Sequence, residues 1–163
     1  RVIVTARQAL VPQYTTILQH LVAILVEISK NPSNPKFNHF TFESISALFG
    51  ALLASISVLD PKLTHELLRS FVTAGDPSSL STFESALFPP FQTILSQDIS
   101  EFTPFVFQIL SQLLELHPIS SGLPDMYSAI LPPLLTPTLW ESRGNIPALV
   151  RLLRAFLGRG GQQ

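Results

Sequence analysis

The sequence contains no cysteine, which excludes disulfides, thiolate metal sites and thiol nucleophiles together. Charge is also scarce. Asp, Glu, Lys and Arg make up 13% of its 163 residues, about half the 25% typical of a soluble domain. Ten basic residues against eleven acidic ones leave a net charge of −1, so the basic footprint of a nucleic-acid binder is missing. There is no Gly-x-Ser-x-Gly elbow, no Gly-x-Gly-x-x-Gly and no phosphate loop. Sustained strand alternation and hairpin dipeptides are absent too. What the chain has in excess is apolar residues, at 46%, and proline, with fourteen copies. That balance excludes intrinsic disorder, which needs high charge and few apolar groups. The length suits one domain with a sizeable core.

The chain runs from Arg1 to Gly160-Gly161-Gln162-Gln163 and reads as a stretch of something longer. Its start has no basic-then-apolar signal peptide, and Asn31-Pro32-Ser33 is spoiled as a glycosylation acceptor by its proline. Two charge-free stretches, 8–26 and 44–59, invite a membrane test. The first contains Pro12, Gln13, Tyr14, Gln19 and His20, and the second is sixteen residues, short of the ~20 that a spanning helix needs. Both read as buried core helices, and no membrane insertion is expected.

Helical periodicity dominates. Phe102, Phe105, Val106, Ile109, Leu110, Leu113 and Leu114 follow an i, i+3, i+4, i+7 stripe, with Gln108, Ser111, Gln112 and Glu115 opposite. Tyr14, Ile17, Leu18, Leu21, Val22, Leu25 and Ile28 do the same in a first helix that stops before Asn31-Pro32. From residue 40 to 59, one face carries Ile45, Leu48, Phe49, Leu52, Leu53 and Ile56. The other carries Ser46, Ala47, Gly50, Ala51, Ala54 and Ser55, the pattern of a helix sandwiched between layers. A last helix is capped by Asn145, admits Pro147 in its first turn, buries Ile146, Leu149, Val150, Leu153, Phe156 and Leu157, and ends at Gly158. Connectors are expected at 30–35, 74–79, 117–124 and 141–144. A short helix fits 64–71, and Ser81 with Glu84 has the spacing of a capping box.

The chain also repeats itself. Ala9-Leu10-Val11-Pro12-Gln13-Tyr14-Thr15-Thr16-Ile17-Leu18 recurs as Ala86-Leu87-Phe88-Pro89-Pro90-Phe91-Gln92-Thr93-Ile94-Leu95, with a weaker echo at Ala129-Ile130-Leu131-Pro132-Pro133-Leu134-Leu135. The offsets, 77 and 43 residues, both suit a helix-pair repeat of about 40 residues. A proline early in each copy would kink a helix that follows a curved stack. The expected fold is therefore all-α, an alpha-alpha superhelix of HEAT or armadillo type with about 3.5–4 helix pairs.

Convergent titratable groups, which catalysis needs, are few. His20, His39, His65 and His117 are isolated from one another. His65-Glu66 begins like a zinc-protease helix, but Arg69 stands where the second histidine belongs. The expectation is no enzyme, no metal and no cofactor. Gly158-Arg159-Gly160-Gly161 is a single Arg-Gly-Gly unit, read as a tail rather than an RNA contact. The functional hint is charge placement: Arg143, Arg151, Arg154 and Arg159 follow Glu141 with no acid among them. Dipole complementarity and solubility explain part of this. The alternative is a basic strip for an acidic partner surface, with Arg143, Arg151 and Arg154 as candidate contacts. The twelve phenylalanines read as packing between repeats rather than a cargo pocket.

Three strings carry a family resemblance. They are Lys30-Asn31-Pro32-Ser33-Asn34-Pro35-Lys36-Phe37-Asn38-His39-Phe40, then Glu101-Phe102-Thr103-Pro104-Phe105-Val106-Phe107-Gln108, then Leu139-Trp140-Glu141 leading into Gly144-Asn145-Ile146-Pro147-Ala148-Leu149-Val150-Arg151-Leu152-Leu153. In order and content they resemble the C-terminal part of the CAS/CSE family of exportins, within the importin-β-like karyopherins. The resemblance implies that residues 1–163 are a HEAT-repeat segment of a longer receptor. Residues 59–80 would form a variable connector with a short helix, and 158–163 a frayed tail. It implies importin-α as cargo, Ran-GTP as co-ligand, nuclear pore proteins as further partners, and shuttling between nucleus and cytoplasm through the nuclear envelope. The GTPase chemistry would belong to Ran. Residues 61–79 are longer than the family's usual connector, and Pro89-Pro90 interrupts an otherwise smooth helix; both bear on repeat boundaries. The alternative is a HEAT-repeat scaffold for a cytosolic assembly with no nucleotide-switched cargo. A distant third, an enzyme, would need a cleft gathering His65, Glu66 and Arg69.

Overall fold

The computed structural model describes residues 12–56, 77–117 and 122–160. The expected short helix at 64–71, the His65/Glu66/Arg69 cluster, most of the 59–80 connector and the tail at 161–163 lie outside the described residues, as do Ala9, Leu10 and Val11 of the first repeat copy. Every regular element among the described residues is helical. The fold is all-α, built from helical hairpins of the kind that HEAT solenoids stack. Contacts divide it into two compact units, Arg1–Glu101 and Phe102–Gln163.

In the first unit, a 3₁₀ turn at Pro12-Gln13 leads into α1 (Tyr14–Lys30). Leu18 and Leu25, two turns apart, are fully buried. The helix stops where expected. The Asn31 N–H donates to the Ile28 carbonyl at 3.2 Å, Lys30 sits at the negative end of the helix dipole, and Pro32 cannot continue the ladder. Helix α2 (Pro35–Ile56) begins earlier than the expected residue 40. Asn34 is its cap: the side-chain Oδ1 accepts the Phe37 N–H at 3.2 Å, and Pro35 fills the first position, where no N–H is needed. Buried Asn38 then donates to the Pro32 carbonyl at 3.0 Å. This ties the four-residue connector 31–34 to the helix that it introduces. So short a link makes α2 fold back on α1, and the two pack together.

Phe42, Ile45 and Leu48 form the buried stripe of α2. On its small-residue face, Ser46 and Ala47 are half-buried. Gly50 is exposed, and a Cβ there would meet nothing within 4 Å. Packing does not absorb every phenylalanine either, because Phe37 and Phe40 are 48% and 60% exposed.

Helix α3 (Pro77–Ser96) is continuous through Pro89 and Pro90. The capping-box reading of Ser81 and Glu84 is corrected: both lie inside the helix, where the same three-residue spacing makes them neighbours on one face. Each interior proline removes one ladder hydrogen bond and costs about 3 kcal/mol. The offset comes from burial of Phe83, Leu87, Phe88, Phe91 and Ile94, each contributing about 1.5–3 kcal/mol. Tyr14 of α1 stacks on Phe83 with ring centroids 6.0 Å apart and planes within 7°. The helix then closes in a Schellman turn. The Ile99 N–H reaches the Ile94 carbonyl at 3.1 Å, the Asp98 N–H reaches Leu95 at 3.4 Å, and Asp98 takes the left-handed conformation with φ 52°.

In the second unit, α4 (Thr103–Leu114) buries far more than one stripe. Phe102, just before it, and Val106, Phe107, Ile109, Leu110, Leu113 and Leu114 are all enclosed. Ser111, expected on the polar face, is fully buried too; its hydroxyl donates to the Phe107 carbonyl at 2.6 Å, which removes the cost of an unpaired polar group. Three short helices follow, α5 (Asp125–Ser128), α6 (Leu131–Leu134) and α7 (Pro137–Glu141). Helix α8 (Ile146–Gly160) then packs along α4. Buried Tyr127 of α5 meets Phe156 and His117 edge to face, at 6.3 and 5.7 Å. The Trp140 Nε1–H donates to the Leu134 carbonyl at 2.9 Å.

The proline copies prove unlike one another. Pro12 precedes α1, Pro89-Pro90 sit within α3, and Pro132-Pro133 open the four-residue α6. A kink early in each repeat helix is therefore not the common element. No described helix is long and apolar enough to cross a membrane.

Two substitutions test the helix ends by urea denaturation. Asn34→Ala should destabilise the fold by about 1 kcal/mol through loss of the α2 cap. Asp98→Gly should stabilise it by about 0.5 kcal/mol by relieving the left-handed residue.

Candidate partner-binding surface

Helix α8 carries the candidate arginines, and its rotation about its own axis decides which of them face solvent. Asn145 stands at its N-cap position: its carbonyl accepts the Leu149 N–H at 2.9 Å. Its side-chain amide does not cap the helix but donates to Leu139 of α7 at 3.1 Å. The buried face is Ala148, Leu149, Leu152, Ala155, Phe156 and Arg159. The stripe read from the sequence was therefore displaced by about one residue, or 100° of rotation. Leu149 and Phe156 are common to both, while Val150 and Leu153 are half-buried and Leu157 is 74% exposed. The physical reason is close approach: placing Ala148 and Ala155 against α4 lets the backbones come nearer than Val150 and Leu157 would.

The four arginines separate by what they touch. Arg159 is only 9% exposed. Its guanidinium donates to the His117 carbonyl at 3.2 Å and to the Glu115 carbonyl. These are helix-end acceptors just beyond α4, which have no partner inside the helix. The helix accordingly runs through Gly158, which was expected to end it, as far as Gly160. Residues 158–160 belong to that helix. Arg151 grips Glu115 in a two-pronged pair, Nε to Oε1 at 2.8 Å and Nη2 to Oε2 at 2.7 Å. That hydrogen bond holds the Arg151 guanidinium above its ordinary pKa, outweighing the partial burial that pulls it down. Both side chains are nearly half exposed, so the pair is worth at most about 1 kcal/mol.

Arg143, in the turn after α7, and Arg154 are both exposed and make no ion pair or hydrogen bond among the described residues. Of the three candidate contacts, then, Arg143 and Arg154 remain available and Arg151 is already engaged. The structural role of Arg159 was missed because its acceptors are backbone carbonyls more than forty residues away. The available signal was its place in the row Ala148, Leu152, Ala155, Arg159, one face of a helix.

In the first unit, a half-open cavity of about 220 Å³ is lined by Val26, Ser29, Lys30, Pro90, Thr93 and Gln97. It is smaller than ordinary ligand sites. The groups that would orient a ligand are committed elsewhere: Ser29 donates to Leu25, Thr93 to Pro89, and Lys30 pairs with Glu27 at 2.8 Å. It offers little for catalysis or cofactor binding.

The two kinds of arginine contact should separate in stability measurements. Arg159→Met leaves two part-buried carbonyls without this donor and should cost about 1 kcal/mol. A double-mutant cycle of Arg151→Ala with Glu115→Ala should give a coupling below about 1 kcal/mol.

Comparison with known proteins accounts for this helical framework. A family model described as "CAS/CSE protein, C-terminus" matches residues 1–163. The chain is 46% identical over 165 residues to the importin-alpha re-exporter of Schizosaccharomyces pombe, covering 99% of this chain and 15% of that protein. It is 42% identical to exportin-2 of Homo sapiens, over 94% of this chain and 14% of that protein. It is 40% identical to exportin-2 of Drosophila melanogaster, over 96% and 14%. The chain thus spans about a seventh of the length of these relatives, and along the whole of its own length it belongs to the CAS/CSE family.

Proposed function

We propose that this chain works as a segment of a nuclear transport receptor that carries importin-α from nucleus to cytoplasm in complex with Ran-GTP. The observation that carries the reading is its 46% identity, over 99% of its length, to a protein named importin-alpha re-exporter. The fold suits the role. Stacked helical hairpins form an extended, deformable surface, and cargo and Ran-GTP cooperate when both favour the same curvature. That cooperation is a coupling free energy and must be reciprocal. The receptor needs no catalytic group of its own. Its working places are the nucleus, the nuclear pore and the cytoplasm, with pore proteins as transient partners. Arg143 and Arg154 are the side chains of this segment offered to acidic partner surfaces, with Arg151 contributing only if Glu115 releases it.

In a pull-down with the full-length protein, importin-α should be recovered with Ran-GTP and lost with Ran-GDP. Equal recovery with both would favour a scaffold without a nucleotide switch. The 163-residue chain alone holds a small share of the receptor's surface, and should bind importin-α weakly or not at all by calorimetry, with or without Ran-GTP.

A further inference from the structure

Beyond the buried face, α8 presents a second row of apolar residues. Ile146, Val150, Leu153 and Leu157 are spaced i, i+4, i+7, i+11, which places them in one line along the helix. Ile146 is 37% exposed and Leu157 74%, while Val150 and Leu153 are half-buried. The row is therefore a shoulder, one flank of α8 left open beside the face that meets α4. Arg154 follows on the outward side of that row, four residues from Val150 and three from Leu157, and it has no partner among the described residues. Arg143, equally free, stands three residues ahead of Ile146. No acidic residue occurs after Glu141, so the shoulder has an uncompensated positive border.

We propose that the α8 shoulder receives an amphipathic helix from a protein partner, whose aliphatic stripe lies on Ile146, Val150, Leu153 and Leu157 and whose edge carboxylates meet Arg143 and Arg154. The inference is independent of the export reading, since it names the chemistry of the ligand and not the cargo. An apolar row of three turns is the imprint that a helix leaves when it docks through i, i+3, i+4 and i+7 anchors. Free guanidinium groups along one border match carboxylates in two-pronged geometry, as Arg151 already does with Glu115. An anionic membrane fits less well. The broad apolar face that would enter a bilayer is spent on α4, and two free cations give only weak attraction to anionic lipid.

The test uses the full-length protein and two synthetic helical peptides of about five turns, identical in their aliphatic stripe, one edged with Glu and the other with Lys. Fluorescence anisotropy should show the Glu-edged peptide binding about tenfold tighter than the Lys-edged one, with the gap narrowing at high salt. Leu157→Asp should weaken the Glu-edged peptide about tenfold, and Arg154→Glu should turn the preference toward the Lys-edged one. Both side chains are exposed, so circular dichroism should show the variants folded. Equal binding of the two peptides, or affinities unmoved by both substitutions, would overturn the proposal. So would an absence of binding because the shoulder is already covered in the full-length protein. Two further results would also overturn it: vesicles of phosphatidylcholine and phosphatidylserine outcompeting the peptide, or self-association in sedimentation that Leu157→Asp abolishes.

Discussion

Helix α4 buries more than half of its circumference, and within it only Gln108 is exposed. Its buried residues include Thr103, Val106, Phe107, Ile109, Leu110, Ser111, Leu113 and Leu114, which at 100° per residue cover an arc of about 200°. An apolar arc that wide must be covered on more than one flank, and that requirement organises the second unit. Helix α8 supplies one wall, and it turns its alanines toward α4 because small side chains permit the closest approach. Once that rotation is set, the rest follows. Arg159 falls at the end of α4, where orphan carbonyls need donors, Arg151 falls opposite Glu115, and Leu157 is left outside.

Scarcity of charge has a related consequence. With so few ionisable groups, each position counts for more, and the cluster at the end of the sequence cannot be treated as uniform. One guanidinium is a backbone cap and one is half of an exposed ion pair; Arg143 and Arg154 have no partner among the described residues. Net charge does not distinguish these roles, and neither does spacing. Arg151 and Arg159 tie α8 to the end of α4, and Arg143 and Arg154 take no part in that packing.

Proline illustrates how local signals were read. Asn31-Pro32 ended α1 as expected, because a helix cannot continue through the missing N–H and the clash it brings. Asn34-Pro35 carries an equally clear start signal, cap followed by first-turn proline, and the helix begins there. The same residue type in Pro89-Pro90 does not break α3, where five buried apolar side chains outweigh two lost hydrogen bonds. Ser81 and Glu84 show the converse, since three-residue spacing marks either a capping box or two neighbours within a helix. Which applies depends on where the helix starts, and α3 starts at Pro77.

The sequence by itself determined the all-α class, the stop of α1, the apolar stripe of α4 and the family, because periodicity, proline chemistry and long matching strings are properties of neighbouring residues. Tertiary structure alone decided the rotation of α8, the burial of Ser111, the exposure of Phe37 and Phe40, and the separate roles of the arginines. Those depend on the distance at which two helices can approach and on backbone acceptors far away in the chain. A helix with apolar residues on more than one flank can bury either, and only the partner helix selects between them.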